Sequence, residues 1–223
     1  MKVIISQNRL LELIGKIQNI VPAKPAVTIL SNILLEAIDD QLILTATDLT
    51  VSMKVHAEAK VLEEGSITLP AKRFFQLVRE LTAPQLEIHL ISPEIAQINS
   101  GSSHFKIHGM SNEEFPQLTE TPSDSSIVIP TVTLKELLVK TAFAAARDDS
   151  RQVLNGVLLQ AEGLQATFIG TDGKKLAKTH SSLPSSIDTA GSYILPIKAV
   201  EEMIRLLDPK EENIKITLVK NVI

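Results

Sequence analysis

The sequence predicts an α+β protein of two tandem domains, each built from two β-α-β-β-β halves. Three observations carry this. First, one domain-sized stretch occurs twice. Asn32-Ile33-Leu34-Leu35-Glu36 returns as Asn155-Gly156-Val157-Leu158-Leu159, and Leu44-Thr45-Ala46-Thr47-Asp48-Leu49 as Phe168-Ile169-Gly170-Thr171-Asp172-Gly173. Gly65-Ser66-Ile67-Thr68-Leu69-Pro70-Ala71-Lys72 returns as Gly191-Ser192-Tyr193-Ile194-Leu195-Pro196-Ile197-Lys198. Read this way the offset drifts from 123 to 126 residues, far beyond a solenoid period, so each copy needs its own core. Second, a strand, a polar turn and an amphipathic helix follow one another four times. Third, every helix is followed by runs of alternating apolar and polar residues, the period of a half-buried strand.

In chain order, Val3-Ile4-Ile5 leads through Ser6-Gln7-Asn8 into a helix near 8–20. Ile67–Pro70 leads into one near 72–81, Ile127–Pro130 into one near 134–146, and Tyr193–Pro196 into one near 198–207. In the last three, Pro presets φ and removes an amide that a helix start leaves unbonded. Expected buried stripes at 3.6-residue spacing are Leu10, Leu13, Ile14, Ile17 and Val21, then Phe74, Phe75, Val78 and Leu81, then Leu134, Leu137, Leu138 and Ala142. Expected strands include 42–44, 51–55, 86–90, 95–99, 104–108, 164–169 and 214–218. The domains span 1–120 and 126–223, with a Pro/Ser/Thr/Asp-rich joint at Thr119–Ser126. The second copy stops one strand after its last helix, and Lys220–Ile223 reads as a turn entering the next. The expectation is a fragment of a longer protein.

Of 223 residues 44% are hydrophobic and only 3% aromatic, with no Trp, so both cores are aliphatic. Zero Cys excludes disulfides and thiolate metal sites. No apolar run approaches the ~20 residues that span a bilayer, and residues 1–7 carry no signal-peptide core; a cytoplasmic protein with no membrane partner is expected. No cofactor is implied. His104 and His108 lie four apart in a strand, roughly 13 Å along its axis, too far to share a metal. No phosphate loop or nucleophile elbow is present.

Net charge is −4, but its distribution is uneven. The expected helices, with their last turns, carry +1, +2, +2 and −1, so the remainder of the chain carries −8. If the helices share one surface, that surface is positive on an acidic protein. The string Gly170-Thr171-Asp172-Gly173-Lys174-Lys175 could suit an Asp/Lys enzyme site. However, Thr47-Asp48 holds its place in the first copy, and a strand-connecting turn needs an Asp twice where catalysis does not.

Several of these strings, in this order, resemble the bacterial DNA polymerase III beta subunit family of sliding clamps across essentially the whole chain. They are Ile29–Leu35, Thr45–Leu49, Leu69–Phe75, Ser100-Gly101 with Phe105, Glu114-Phe115-Pro116, Leu154–Val157, Thr171–Ala177 and Leu195–Lys198. The resemblance implies tandem DNA-clamp domains with two helices on one side and antiparallel sheets outside. It implies a non-catalytic processivity factor that encircles double-stranded DNA without reading its sequence. The implied partners are the DNA polymerase III catalytic subunit, the clamp loader and other proteins bearing clamp-binding motifs. It also implies a third domain, absent here, and a homodimeric ring when full length. The residues expected to face DNA are Arg9, Lys16, Lys24, Lys72, Arg73, Arg79, Lys135, Lys140, Arg147 and Lys198. A partner-peptide cleft is expected at Arg151, Val153, Leu154, Thr171, Gly173, Lys175 and Leu176, and a dimer edge at Phe105 and Ile107. The competing readings are a duplicated protein-interaction scaffold that never binds nucleic acid, and an enzyme built on Asp172, Lys174 and Lys175.

Overall fold

The computed structural model describes residues 1–118 and 126–218, without the side chains of 187–189. The expected joint, up to residue 125, and the turn at 220–223 fall outside the described residues. The chain divides into two compact units, Met1–Leu118 and Thr119–Ile223.

In the first unit, β1 (Lys2–Ser6) enters α1 (Gln7–Ile17), followed by β2 (Asn32–Ile38), β3 (Gln41–Thr47) and β4 (Ser52–Glu58). A short β5 (Lys60–Glu63) precedes the second half: β6 (Gly65–Pro70), α2 (Ala71–Glu80), β7 (Gln85–Ser92), β8 (Ile95–Ser100) and β9 (Ser103–His108). The sheets run β5-β1-β7-β8-β9 and β4-β3-β2-β6. The leading strand of each half therefore joins the meander of the other: β1 pairs with β7, and β6 with β2, both antiparallel. The two halves interlock, and each completes the other's sheet. The β2–β3 turn is two residues long, with Asp39 and Asp40 at φ 47° and 54°, the left-handed pair that matches strand twist in a hairpin.

The inward faces of the sheets (Ile33, Leu35, Ala37, Leu42, Leu44 and Ala46) pack with Leu10, Leu13, Ile14, Ile17, Phe74 and Val78 of the helices into one core. Burying each Leu or Ile contributes about 1.5–3 kcal/mol. Ile20, rather than Val21, closes the stripe of α1: Ile20 is fully buried and Val21 only half-buried. Phe75 is also half-buried, and the Arg79 guanidinium lies 5.9 Å from its ring centroid.

The second unit has β10 (Ser126–Pro130), α3 (Thr131–Ala142), β11 (Gly156–Thr171), β12 (Leu176–Pro196), α4 (Ile197–Leu206) and β13 (Asn213–Thr217). β10 pairs with β13 and β11 with β12. Its core joins Leu134, Leu137 and Leu138 to Val157, Leu159, Phe168 and Val200. α3 begins at Thr131 and not at 134, because Pro130 supplies the extended cap (φ −57°, ψ 135°) and the Thr131 amide donates to the Glu212 carbonyl (3.1 Å). It stops at Ala142, where Ala144 and Ala145 donate to carbonyls three residues back, tightening the end into turns. Arg147 thus lies off the helix.

The register corrects the repeat. Asn32 pairs with Pro70 and Ile33 with Leu69; Gly156 pairs with Pro196 and Val157 with Leu195. Asn32 therefore corresponds to Gly156, an offset of 124, and not to Asn155. The one-residue difference decides which side chains face the core. Ile33, Leu35 and Ala37 match Val157, Leu159 and Ala161, all buried.

Candidate nucleic-acid interface and peptide cleft

Within each unit the two helices lie side by side: α1 packs on α2, and α3 on α4. Arg9, Lys16, Lys72, Arg73 and Arg79 stand on the solvent side of the first pair, half-exposed or more. Within their observed bounds the four helices carry +1, +2, +1 and 0, so the positive face belongs mainly to the first unit.

Several of these cations are engaged locally. Arg9 and Lys16 both bond Glu12, at 2.7 and 2.6 Å, and together, Lys16 foremost, they hold its carboxyl below the ordinary range. Arg79 meets Glu80 at 3.2 Å and Lys140 meets Glu136 at 3.1 Å. Arg147 reaches Glu201 at 2.7 Å and ties the loop after α3 to α4. Lys135 donates to the Leu207 carbonyl (2.9 Å), capping the end of α4. Lys24 is exposed in the loop after α1. Lys72 and Arg73 are exposed in the first turn of α2 and meet no carboxylate at ion-pair distance among the described residues.

All four helices lack an acidic residue in the first turn. Arg9, Lys72, Arg73 and Lys198 instead place positive charge there. The positive end of a helix dipole disfavours cations and favours anions. This arrangement costs stability, which an external phosphate backbone at that end would offset.

The sequence-predicted cleft residues come together at the loop after α3 and the β11–β12 turn. Asn155 braces the loop: its Oδ1 accepts from the Asp149 amide (2.9 Å) and its Nδ2 donates to the Asp149 carbonyl (2.8 Å). Asp149 grips Arg151 through Nε and a terminal nitrogen, both at 3.0 Å. Those bonds, with one from the Arg151 backbone, hold the Asp149 carboxyl down at about 2. The Arg151 guanidinium passes over Gly173, where a Cβ would lie 3.2 Å from it. Gly170 packs so closely on the end of α3 that a Cβ would stand 2.2 Å from the Thr141 carbonyl. Val153 is 64% exposed and Leu176 68%, whereas Leu154 and Thr171 are half-buried. Asp149 and Asn155 were not among the residues expected here; an Asp six residues before an Asn-Gly pair carries no recognisable signal on its own.

Asp172 is a turn residue. Its Oδ1 accepts the amides of Lys174 and Lys175, both at 2.9 Å, and Lys175 Nζ adds a contact at 3.2 Å. The Lys175 and Lys174 amides hold its carboxyl far below the ordinary carboxylate range. Asp48 accepts the amides of Thr50 and Val51 in the same way, at 3.0 and 2.8 Å.

The expected dimer edge divides. β9 is the outer strand of its sheet, and Phe105 is 39% exposed there. Ile107 is only 3% exposed and belongs to the core. Both project on one face by strand period, but the core beneath reaches only as far as Ile107.

The chain is 46% identical to the beta sliding clamp of Chlamydia pneumoniae over 95% of its own length and 58% of that protein. It is 32% identical to the beta sliding clamp of Haemophilus influenzae, over 97% and 59%. A crystal structure of the Bacillus subtilis DNA polymerase sliding clamp superposes with a TM-score of 0.94 at 27% identity, over 99% of this chain and 60% of that one. The chain thus spans about three-fifths of the length of these relatives. It matches the model of the DNA polymerase III beta subunit N-terminal domain over residues 1–119 and that of the central domain over 128–223, and it belongs to that family.

Proposed function

We propose that this chain forms the first domain and most of the second domain of a sliding clamp, a non-catalytic processivity factor that encircles duplex DNA and tethers the replicative polymerase. One observation carries the reading: Lys72 and Arg73 stand exposed, without carboxylate partners among the described residues, at the positive end of α2. Cations so placed attract phosphate without reading bases, and such contact permits sliding. Lys24, Arg9, Lys16, Arg79, Lys140, Arg147 and Lys198 extend this field, each weakened where a carboxylate shares it. The acidic remainder of the chain repels DNA elsewhere.

In this reading a third domain completes the protomer, and two protomers close a ring through the β9 edge with Phe105 exposed on it. The cleft of Arg151, Val153, Leu154, Thr171, Gly173, Lys175 and Leu176 takes the apolar anchors of partner peptides, from the polymerase, the loader and other clamp-binding proteins. A scaffold that never touches nucleic acid is not favoured by family membership.

The test uses the protein extended to the length of its relatives. It should be retained on closed circular duplex and lost when the circle is cut. Equal retention on linear DNA, or a strong preference among sequences, would count against a topological clamp.

A further inference from the structure

The first unit carries an ordered polar relay on the outer face of its five-stranded sheet. Successive side chains of a strand alternate between faces. With Ile88, Ile98 and Ile107 in the core, the outer face takes Glu87, Asn99, His104 and Lys106. The register sets Glu87 opposite Asn99, and Asn99 opposite His104. Lys2 Nζ lies 3.3 Å from Glu87 Oε2, and Asn99 Nδ2 donates to Glu87 Oε1 (2.9 Å). Asn99 Oδ1 accepts from Gln97 Nε2 (2.9 Å) and lies 2.8 Å from His104 Nδ1. The relay thus crosses from β1 to the edge strand β9.

Charge sets the direction of the relay. An ionised carboxylate only accepts, so the amide nitrogen of Asn99 faces Glu87 and its oxygen faces His104. That oxygen also only accepts, so the proton of a neutral His104 sits on Nδ1 and Nε2 is bare. Burial works to raise the Glu87 carboxyl, but hydrogen bonds from Asn99 and Lys2 outweigh it and keep the group below its ordinary value. Glu87 is therefore ionised at neutral pH. An imidazolium at His104 keeps the same Nδ1–H bond and gains its proton at Nε2 alone.

We infer that His104 is a proton-dependent recognition residue of the β9 edge, with Glu87 and Asn99 as positioning residues that confine its proton exchange to Nε2. Neutral His104 offers an acceptor to whatever docks on the edge; protonated, it offers a charged donor. Lys106 and His108 stand exposed on the same face of β9, and neither they nor His104 meets a carboxylate at ion-pair distance among the described residues. Across β7 and β1 that face carries Glu87, His89 and Lys2, with Lys60 and Glu63 on β5 beyond them. A cationic edge of this kind fits a carboxylate-bearing segment, here of a second protomer, so protonation of His104 tightens the contact. The identity of that occupant rests on the ring reading above; the relay does not.

On the 223-residue chain, long-range proton–nitrogen correlation spectra of the imidazoles at pH 8 should show His104 protonated on Nδ1 and bare at Nε2. Glu87→Gln removes the charge that orients Asn99, so the His104 tautomer should become mixed. A proton on Nε2 of the neutral parent ring, or a tautomer indifferent to Glu87→Gln, would overturn the inference and leave the clamp reading standing. In the protein extended to the length of its relatives, subunit exchange between labelled rings should be about two- to fivefold slower at pH 6 than at pH 8, the range of one exposed ion pair. His104→Gln should remove most of that difference. Exchange that ignores pH in the parent, or a pH dependence that His104→Gln leaves intact, would equally overturn the inference. A protein that stays monomeric at both pH values would overturn the ring reading, and the occupant of the edge with it.

Discussion

Leu49 and Gly173 hold the same place in the two units, and both backbones are left-handed, at φ 74° and 86°. The turns around them share four hydrogen bonds. The Leu49 amide donates to the Thr47 hydroxyl (3.0 Å), and the Gly173 amide to that of Thr171 (3.1 Å). The Thr47 and Thr171 hydroxyls in turn donate to the carbonyls of Val51 and Lys175. Gly adopts this conformation freely, whereas a side chain there is strained by roughly 1–2 kcal/mol. Leu49 is 64% exposed, so little burial offsets that strain.

Leu49→Gly should therefore stabilise the first unit. The relieved strain exceeds the extra entropy that Gly brings to the unfolded chain, leaving a net gain of about 0.5–1 kcal/mol. Gly173→Ala should destabilise the second unit, since it adds both strain and crowding against Arg151. Urea unfolding of both variants checks the pair. A loss of stability in Leu49→Gly would show that the side chain makes contacts worth more than the strain.

Lys72 and Lys135 were expected to act alike on DNA, but they should separate. Changing Lys72 and Arg73 to Ala in the full-length protein should weaken DNA affinity equally for all sequences. The salt slope should drop by about one for each lost phosphate contact. Lys135→Ala should leave the slope unchanged and instead lower stability by about 0.5–1.5 kcal/mol, because its ammonium caps the Leu207 carbonyl. Titrations at several salt concentrations, paired with unfolding curves, distinguish the two outcomes.

The duplication, the strand–helix order and the aliphatic cores were legible because apolar periodicity and Pro before a helix are local signals. Long-range pairing was not. No local feature of Val3–Ile5 says that β1 joins β7 rather than its own half. The repeat was misaligned by one residue at Asn155, because matching Asn32 to Asn155 sets the offset at 123, whereas Ile33–Ala37 match Val157–Ala161 only at 124, the register that pairing with Pro196 fixes. The candidate cations were visible as residue types, but their partners were not. Lys135 and Arg147 find theirs 72 and 54 positions away along the chain. Ile107 shows the same limit: strand alternation places it with Phe105, while the depth of the core beneath decides which of the two stays exposed.

That difference in depth gives a third prediction. Ile107→Ala should cost about 2–4 kcal/mol through the cavity it leaves. Phe105→Ser should leave the isolated chain within about 0.5 kcal/mol of its parent yet weaken self-association of the full-length protein. Chemical denaturation and sedimentation of each variant test both halves. If Phe105→Ser unfolds the chain, Phe105 belongs to the core, and the edge assignment fails.

Acid should weaken the second unit through Asp149 and Asp172. Both folded carboxyls lie below their ordinary value, Asp149 because of Arg151 and Asp172 because of the Lys175 and Lys174 amides. A depressed carboxyl contributes stability that is fully present above its unfolded value, 3.8 for Asp. The contribution fades as pH falls, down to about 2 for Asp149 and lower still for Asp172. Both groups are solvent-accessible, so screening keeps each contribution modest. Asp172→Asn should lower the melting temperature at pH 7 and flatten its decline below pH 4. Asp48→Asn should lower it at pH 7 as well, since Asp48 makes the same two backbone bonds. No chemical step should be lost in either variant. A parallel pH profile for Asp172→Asn and its parent would show that the carboxylate bonds do not stabilise the turn. A hydrolytic activity that vanishes with Asp172 would overturn its assignment as a turn residue.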